Sequence, residues 1–221
     1  YFAGALAFVA ALMVWRQLPV TPKQDLTSRP LSVRLRFSDR RLRLYLATAV
    51  GLFVGYSGIQ QTLGFQLQDK LGLTGIETAQ MTGAALMVAA AFTFLVQVTV
   101  MQRVKLAPMQ FIRLGLLSLL FGAGAIAGFG RFAVLGVGMA FVGVGLGLVM
   151  PALSAAASLA VSPQEQGAAA GLVSACPAIG FVSGPIIAGA LYQVHGPLAP
   201  LFSASIFFLI LAFLVLQDRH R

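Results

Sequence analysis

Residues 171–192, GLVSACPAIGFVSGPIIAGALY, decide the fold, because they form a long apolar run that contains the residues least suited to a helix interior. The run carries no charged side chain, and it is long enough to cross the hydrocarbon core of a bilayer. It also holds two prolines and four spaced glycines. Small residues let helices approach closely in a membrane, and proline bends a helix. We therefore predict a kinked membrane-spanning helix that packs tightly against its neighbours.

The composition of the whole chain indicates an integral membrane protein. Hydrophobic residues make up 58% of the 221 residues and charged residues 10%, and the mean hydropathy is +0.89. A soluble domain averages about 25% charged residues, so this chain cannot cover a surface that faces water. Its one cysteine, Cys176, lies inside an apolar stretch, which excludes a disulfide framework.

Six full membrane spans follow a partial one. A spanning helix needs roughly 20 apolar residues, and such stretches lie at about 44–67, 79–101, 110–129, 132–159, 168–192 and 199–217. Residues 1–15 are also apolar, but they start without Met and without the basic region that opens a signal peptide. We interpret them as the end of a membrane helix, the sixth, and we expect that an N-terminal half of the protein precedes this sequence.

Basic residues are distributed unevenly between the two predicted sides of the membrane. Residues 16–43 form a long polar loop with eight basic residues, and every later connection is short. If this loop is cytoplasmic, 13 basic residues lie inside and two, Lys70 and Arg131, lie outside. Cytoplasmic loops carry such an excess, so 16–43 and 218–221 are predicted to be cytoplasmic. The net charge of +9 is then explained by the membrane topology and by contact of the loop with anionic headgroups. We therefore predict no nucleic acid partner.

Reactive side chains are absent from the predicted spans. All acidic residues and both histidines fall in predicted loops or at helix ends. Hydrolysis would need a nucleophile with a base or paired carboxylates, and a metal site would need clustered ligands. The sequence therefore predicts neither an enzyme nor a metal or cofactor site. A proton relay would need a buried ionisable group, which we expect upstream of Tyr1.

Glycines recur along 132–159, where five of them fall on or beside one helical face: Gly136, Gly138, Gly143, Gly145 and Gly147. Pro151 removes a backbone hydrogen bond, so we predict a bend of this helix at Gly147 and Pro151. In the next span, Gly180 and Gly184 have GxxxG spacing and Pro185 follows directly. The two helices together predict a tightly packed and mobile surface.

These residues carry a resemblance to a known family. The chain resembles the C-terminal half of a major facilitator superfamily transporter, and it is most similar to the drug/proton antiporters that include the tetracycline exporters. Those proteins share a pattern of G, eight residues, G, three residues, GP, two residues and GG. Here the pattern falls on Gly171, Gly180, Gly184, Pro185 and Gly189, with Ala188 in place of the first paired glycine. Arg103 and Lys105 match the basic part of a family loop signature whose Asp and glycines are missing here.

The resemblance implies an architecture and a mechanism. It makes the six spans helices seven to twelve of an all-α membrane protein, in a half-bundle of two inverted three-helix repeats. It places a small-molecule substrate near the midplane between two such halves, with alternating access by rocking of one half against the other. It also implies proton coupling, a gating or packing role for the Gly-Pro helix, and, with the alanine-rich composition, a multi-pass protein of the bacterial cytoplasmic membrane.

Candidate substrate contacts come from the seventh helix, the only span with a dense polar group. Tyr56 and Gln60 share one face at i, i+4 spacing, and Ser57 and Gln61 share another. Glutamine can donate and accept hydrogen bonds without the cost of a charge, which suits varied neutral or cationic compounds. Soft apolar contacts are predicted from Phe53, Met139 and Phe141. The alternative is that the glutamines tie helices together and that the apolar side chains pack in the core.

The function predicted from these observations is secondary active transport, with proton-coupled efflux of drug-like or amphipathic molecules as the leading hypothesis. An alternative is an exporter of a specific metabolite, sugar or siderophore with the same fold. A second alternative is a membrane sensor or scaffold that keeps the fold without transport.

Overall fold

The computed structural model describes residues 2–17 and 35–219, and all regular structure in these ranges is helical. Helix α1, Phe2–Gln17, belongs to a separate unit of the chain. The following bundle contains α2 Arg43–Leu71, α3 Gly75–Arg103, α4 Pro108–Gly128, α5 Phe132–Leu159, α6 Gln166–His195 and α7 Pro200–Arg219, with a 3₁₀ turn at Gly196–Leu198. The predicted all-helical class of six helices after a preceding helix is confirmed. Most of the predicted central loop lies outside the described residues.

Four helices of the described part are long and apolar enough to cross a membrane: α3, α4, α5, and α6 continued to Leu198. Helix α2 is as long as α3, at 29 residues, but more polar side chains lie along it. The described apolar part of α7, Pro200–Leu214, is shorter. The bundle is thus built from membrane-type helices, and α2 is the one whose sequence departs furthest from a uniform apolar span.

Short connections reverse the chain between successive helices. Helix α2 ends at Gly72, whose φ of 64° lies in the left-handed region that glycine adopts without strain. Thr74 and Glu77 form a capping box at the start of α3. Pro108 occupies the first turn of α4, where its missing N–H costs no helical hydrogen bond. These signals place helix ends closely enough that consecutive helices lie antiparallel.

Two parallel helix pairs define the bundle. Helix α2 lies along α6, with Phe53 against Gly180 and Ser57 against Gly184. Helix α3 lies along α5 in the same sense, with Ala89 against Gly143. The first helix of each three-helix repeat therefore packs on the second helix of the other repeat. This is the arrangement expected of two repeats in inverted topology, α2–α4 and α5–α7.

The glycines of α5 lie on two faces of the helix and contact two neighbouring helices. Gly143 and Gly147 face α3, and a side chain at Gly147 would meet the carbonyl oxygen of Thr93 at 3.0 Å. Gly138 and Gly145 face α4 across similarly short distances, whereas Gly136 has no neighbour within 4 Å among the residues that the structure describes. Helix α5 is therefore wedged between α3 and α4. It continues through Pro151 to Leu159 as one helix, and the bend at Gly147 and Pro151 stays a prediction.

The Gly-Pro pattern of α6 divides into packed and open positions. A Cβ atom at Gly180 would lie 2.7 Å from the carbonyl carbon of Phe53, and one at Gly184 would lie 2.7 Å from the carbonyl oxygen of Val54. Gly171 and Gly189 have no neighbour within 4 Å in the described structure. The GxxxG pair therefore closes α6 onto α2 within the bundle. The gating role of the full pattern remains a prediction.

A charged cluster ties the start of α2 to the start of α6. The Arg41 guanidinium donates hydrogen bonds to both carboxylate oxygens of Glu165, at 2.9 and 2.8 Å, and to Asp39 at 3.0 Å. Glu165 also accepts hydrogen bonds from the backbone and hydroxyl of Ser162. The hydrogen bonds from Arg41, followed by those from Ser162, lower the pKa of the Glu165 carboxyl to about 2. Arg41 likewise lowers the pKa of Asp39.

The charged cluster predicts that the contact between the start of α2 and the start of α6 weakens at acidic pH. A carboxylate with a depressed folded-state pKa stabilises the fold fully above its ordinary value of 4.5, and that contribution is lost as pH falls toward about 2. We expect Glu165→Gln to melt at a lower temperature than the wild type near neutral pH, with a gap that closes between pH 4.5 and 2. Thermal unfolding in detergent measures the gap. Arg41→Gln should reproduce the pattern, and a gap independent of pH would contradict the ionic origin.

Candidate functional site

A groove of about 480 Å³ lies between α2, α3 and α5. Helix α2 places Phe53, Tyr56 and Gln60 on it, since these positions are three and four residues apart and share one helical face. Helix α3 supplies the opposite wall and α5 the floor, and the complete lining beyond the α2 residues is Leu86, Ala89, Ala90, Thr93, Phe94, Gln97, Leu146 and Met150. The groove thus runs between the two parallel helix pairs, α2 with α6 and α3 with α5.

The polar part of the lining is made of neutral groups. Tyr56 and Gln60 lie one turn apart on α2, and both line the groove. Across the groove, the Thr93 hydroxyl donates a 2.9 Å hydrogen bond to the carbonyl oxygen of Gly143, which joins α3 to α5. Gln97 lies one turn further along α3. Two amides, a phenol and a hydroxyl therefore offer both hydrogen-bond donors and acceptors within one cleft.

An aromatic ring of α6 packs against the aromatic side chains that α2 places on the groove. The ring of Phe181, on α6, lies 5.8 Å from that of Phe53 and 6.3 Å from that of Tyr56, the latter in an edge-to-face arrangement. Such spacings are favourable for aromatic pairs. Gly180 and Gly184 bring α6 against α2. Their packing therefore also positions the Phe53 ring and the Tyr56 phenol, which line the groove.

The structure brings together three of the six side chains predicted to form a substrate cavity, Phe53, Tyr56 and Gln60. The other three do not line the groove. Gln61 is exposed on another face of α2. Met139 is fully buried in the core, and Phe141 packs against Phe121 at 6.4 Å. Arg103 lies at the end of α3, outside the groove.

Thr93 and Phe94 of α3 are among the groove residues that the sequence reasoning missed. The available signal was the spacing of Thr93 and Gln97, which places two polar side chains on one face of an otherwise apolar helix. Among the residues that line the groove, none is charged. No group of three potential metal ligands occurs in the part of the chain that the structure describes.

Two inverted repeats of three membrane helices, with a polar and aromatic cleft between their parallel pairs, define a class of protein. This is the architecture of one half of a secondary transporter. A family model of the Major Facilitator Superfamily matches residues 1–176 and, separately, 111–221. The chain therefore belongs to the Major Facilitator Superfamily.

Solved structures of transporters share this fold. The peptide transporter POT, crystallised with sulfate, superposes with a TM-score of 0.72 at 21% identity, over 85% of this chain and 40% of that one. The human organic anion transporter MFSD10 (TETRAN) gives a TM-score of 0.66 at 23% identity, over 78% and 40% of the two chains. This chain thus spans about 40% of the length of each transporter. No curated protein sequence matches it.

Proposed function

We propose that this chain forms the substrate-binding C-terminal half of a proton-coupled exporter of drug-like or amphipathic small molecules. The observation that carries the proposal is the groove between α2, α3 and α5, with its neutral hydrogen-bonding groups and aromatic rings. The assignment to the exporter branch rests on the Gly-Pro pattern at Gly171, Gly180, Gly184, Pro185 and Gly189. Proton coupling follows from the same resemblance, and the bacterial cytoplasmic membrane follows from the alanine-rich composition.

The chemistry of the groove supports a neutral or cationic amphipathic substrate. Aromatic faces attract both flat apolar rings and cations, and Phe53, Tyr56 and Phe94 supply such faces. The Gln60 and Gln97 amides can each donate and accept, so they can bond substrates whose polar groups differ. Met150 adds a flexible side chain that adapts to ligand shape. A site of this kind selects by size and amphipathic character rather than by one charged group.

The packing supports a groove whose width can change. Each parallel pair, α2 with α6 and α3 with α5, is locked by close backbone contacts at glycine. The groove runs between the pairs, where side chains rather than backbones meet. Movement of one pair relative to the other would therefore open or close the groove without breaking the glycine contacts. Phe94 is 65% exposed at its edge, where the N-terminal half of the transporter would complete the cavity.

The test follows accumulation of a fluorescent cationic dye in cells that lack other efflux pumps and express the full-length protein. We expect expression to lower dye accumulation and a protonophore to restore it. Lowered accumulation that persists with the protonophore would contradict proton coupling. Unchanged accumulation with the protein present in the membrane would contradict broad efflux and favour the exporter of a specific metabolite.

Gln60→Ala is expected to reduce dye efflux about fivefold, the effect of losing roughly one hydrogen bond of 1 kcal/mol. Gln68→Ala, on an exposed face of the same helix outside the groove, is the matched control and should leave efflux unchanged. Gln61→Ala tests which set of residues binds the substrate. The cavity predicted from the sequence includes Gln61, whereas the groove in the structure does not. Equal losses in Gln60→Ala and Gln68→Ala, at equal protein levels, would contradict a substrate role for this groove.

A further inference from the structure

We propose that a second groove, between the start of α2 and the last described turns of α7, binds one anionic phospholipid of the membrane leaflet at that end of the bundle. The groove has a volume of about 520 Å³ and is distinct from the substrate groove. Its lining consists of Arg40, Arg43 and Thr48 with the apolar side chains Leu44, Ala47, Leu209, Ile210 and Phe213. This inference goes beyond the proposed transport and does not depend on which substrate is carried.

The positive charge at the mouth of the groove is not neutralised within the described protein. Asp39, which directly precedes Arg40, and Glu165 are both bound by Arg41. Arg40 and Arg43 are exposed, and in the described ranges neither forms an ion pair. Two guanidinium groups therefore face the groove mouth with their charge-assisted hydrogen-bonding capacity open, and a phosphate is the anion that suits their fork geometry.

The walls below the two arginines match the rest of a phospholipid. Leu209 and Phe213 are apolar, and they are 65% and 58% exposed. Leu44 and Ala47 line the α2 side of the same opening. An acyl chain removes apolar surface of this kind from contact with polar headgroups, whereas a free inorganic anion would leave it uncovered. Apolar walls directly beneath paired cations thus favour a lipid over a small soluble anion.

A buried hydroxyl occupies the inner part of the groove. Thr48 lines the groove and is only 3% exposed. It lies five residues after Arg43, about 7.5 Å along the helix axis at the standard rise. In a glycerophospholipid, the ester carbonyls follow the phosphate toward the acyl chains. The Thr48 hydroxyl can therefore donate to an ester carbonyl while Arg40 and Arg43 hold the phosphate.

The opening between α2 and α7 is local. One turn further into the bundle the two helices close together, since a Cβ atom at Gly51 would lie 2.7 Å from the Ile210 Cδ1 atom. At Gly55 the ring of Phe207 approaches as closely, at 2.6 Å. The groove therefore has a closed inner end and a charged outer end, a shape that admits one amphipathic molecule from the membrane.

The test is native mass spectrometry of the full-length protein in detergent with added phosphatidylglycerol or phosphatidylcholine. We expect retention of one phosphatidylglycerol molecule in preference to phosphatidylcholine. Arg40→Gln with Arg43→Gln should weaken this binding about 30-fold, since each cation near an anionic lipid contributes about 1 kcal/mol. The matched control is Arg103→Gln with Lys105→Gln, which removes two exposed cations outside the groove and should retain the lipid.

A second variant tests whether the lipid binds in the groove itself or only to a basic surface around it. Ala47→Trp keeps both arginines and fills the groove, so it should also release the lipid. Retention of phosphatidylglycerol by Ala47→Trp would overturn the proposal, as would equal binding of the two lipids. Displacement of the lipid by an equal concentration of inorganic phosphate would identify a free-anion site instead. Unchanged melting temperatures of the variants show that loss of the lipid is not loss of the fold.

Discussion

Gly143→Val is expected to destabilise the bundle strongly. A Cβ atom at Gly143 would lie 2.9 Å from the carbonyl carbon and 3.0 Å from the Cα atom of Ala89, and it would press still more closely on the Ala89 oxygen. All three atoms belong to the backbone of α3, which cannot turn away as a side chain can. Overpacking of a core by a methylene costs about 1–3 kcal/mol, and valine adds three carbon atoms. We expect a loss of at least about 3 kcal/mol from a total of about 5–15 kcal/mol.

The same substitution should also disrupt the groove between α2, α3 and α5. The Thr93 hydroxyl donates to the carbonyl oxygen of Gly143, and separation of α3 from α5 would remove this bond together with the α3 wall. Thermal unfolding followed by size-exclusion chromatography in detergent measures the loss of folded protein. Gly136→Val is the matched control, because Gly136 lies on the same helix and a Cβ atom there would meet no described residue of another helix within 4 Å. Equal losses in both variants would show that valine in α5, rather than contact with α3, is responsible.

Gly184→Ala is expected to destabilise the protein although alanine is the better helix former. In an open helical position this substitution gains about 1 kcal/mol. At Gly184, however, the new methyl group would press on the Ser57 hydroxyl and lie 2.7 Å from the Val54 carbonyl oxygen. The clash forces α6 away from α2, and it breaks the 2.9 Å hydrogen bond from Ser57 to the Gly180 carbonyl. We expect a net loss of about 1–3 kcal/mol, and a larger loss with Gly184→Leu.

Gly171→Ala and Gly189→Ala are controls for which we expect the opposite change in stability. Both glycines belong to the same helix and the same Gly-Pro pattern, yet neither has a neighbour within 4 Å in the described structure. We expect each substitution to leave the melting temperature unchanged or to raise it slightly. Destabilisation by all three substitutions would contradict the division of the pattern into packed and open glycines. A loss of dye efflux by Gly171→Ala or Gly189→Ala without a loss of stability would assign these open positions to transport.

The candidate site was only partly predictable from the sequence. Tyr56 and Gln60 were paired correctly on one face of α2, because their i, i+4 spacing follows from helical geometry alone. Gln61 follows Gln60 directly, and its amide has the same chemistry. Their positions differ by about 100° around the helix axis, and nothing local in the sequence shows which of the two directions faces α3. Thr93 was missed because a single hydroxyl in an apolar helix carries little signal by itself.

The sequence by itself determined that this chain is a bundle of membrane helices. In lipid every backbone polar group must be bonded within the protein, so length and hydropathy suffice to predict helices. Only the tertiary structure decided how each helix is rotated about its axis. Gly180 and Gly184 close on Phe53 and Ser57, and this contact turns Gln60 toward the groove and leaves Gln61 outside it. Rotation depends on contacts between residues more than a hundred positions apart, and local periodicity does not encode them.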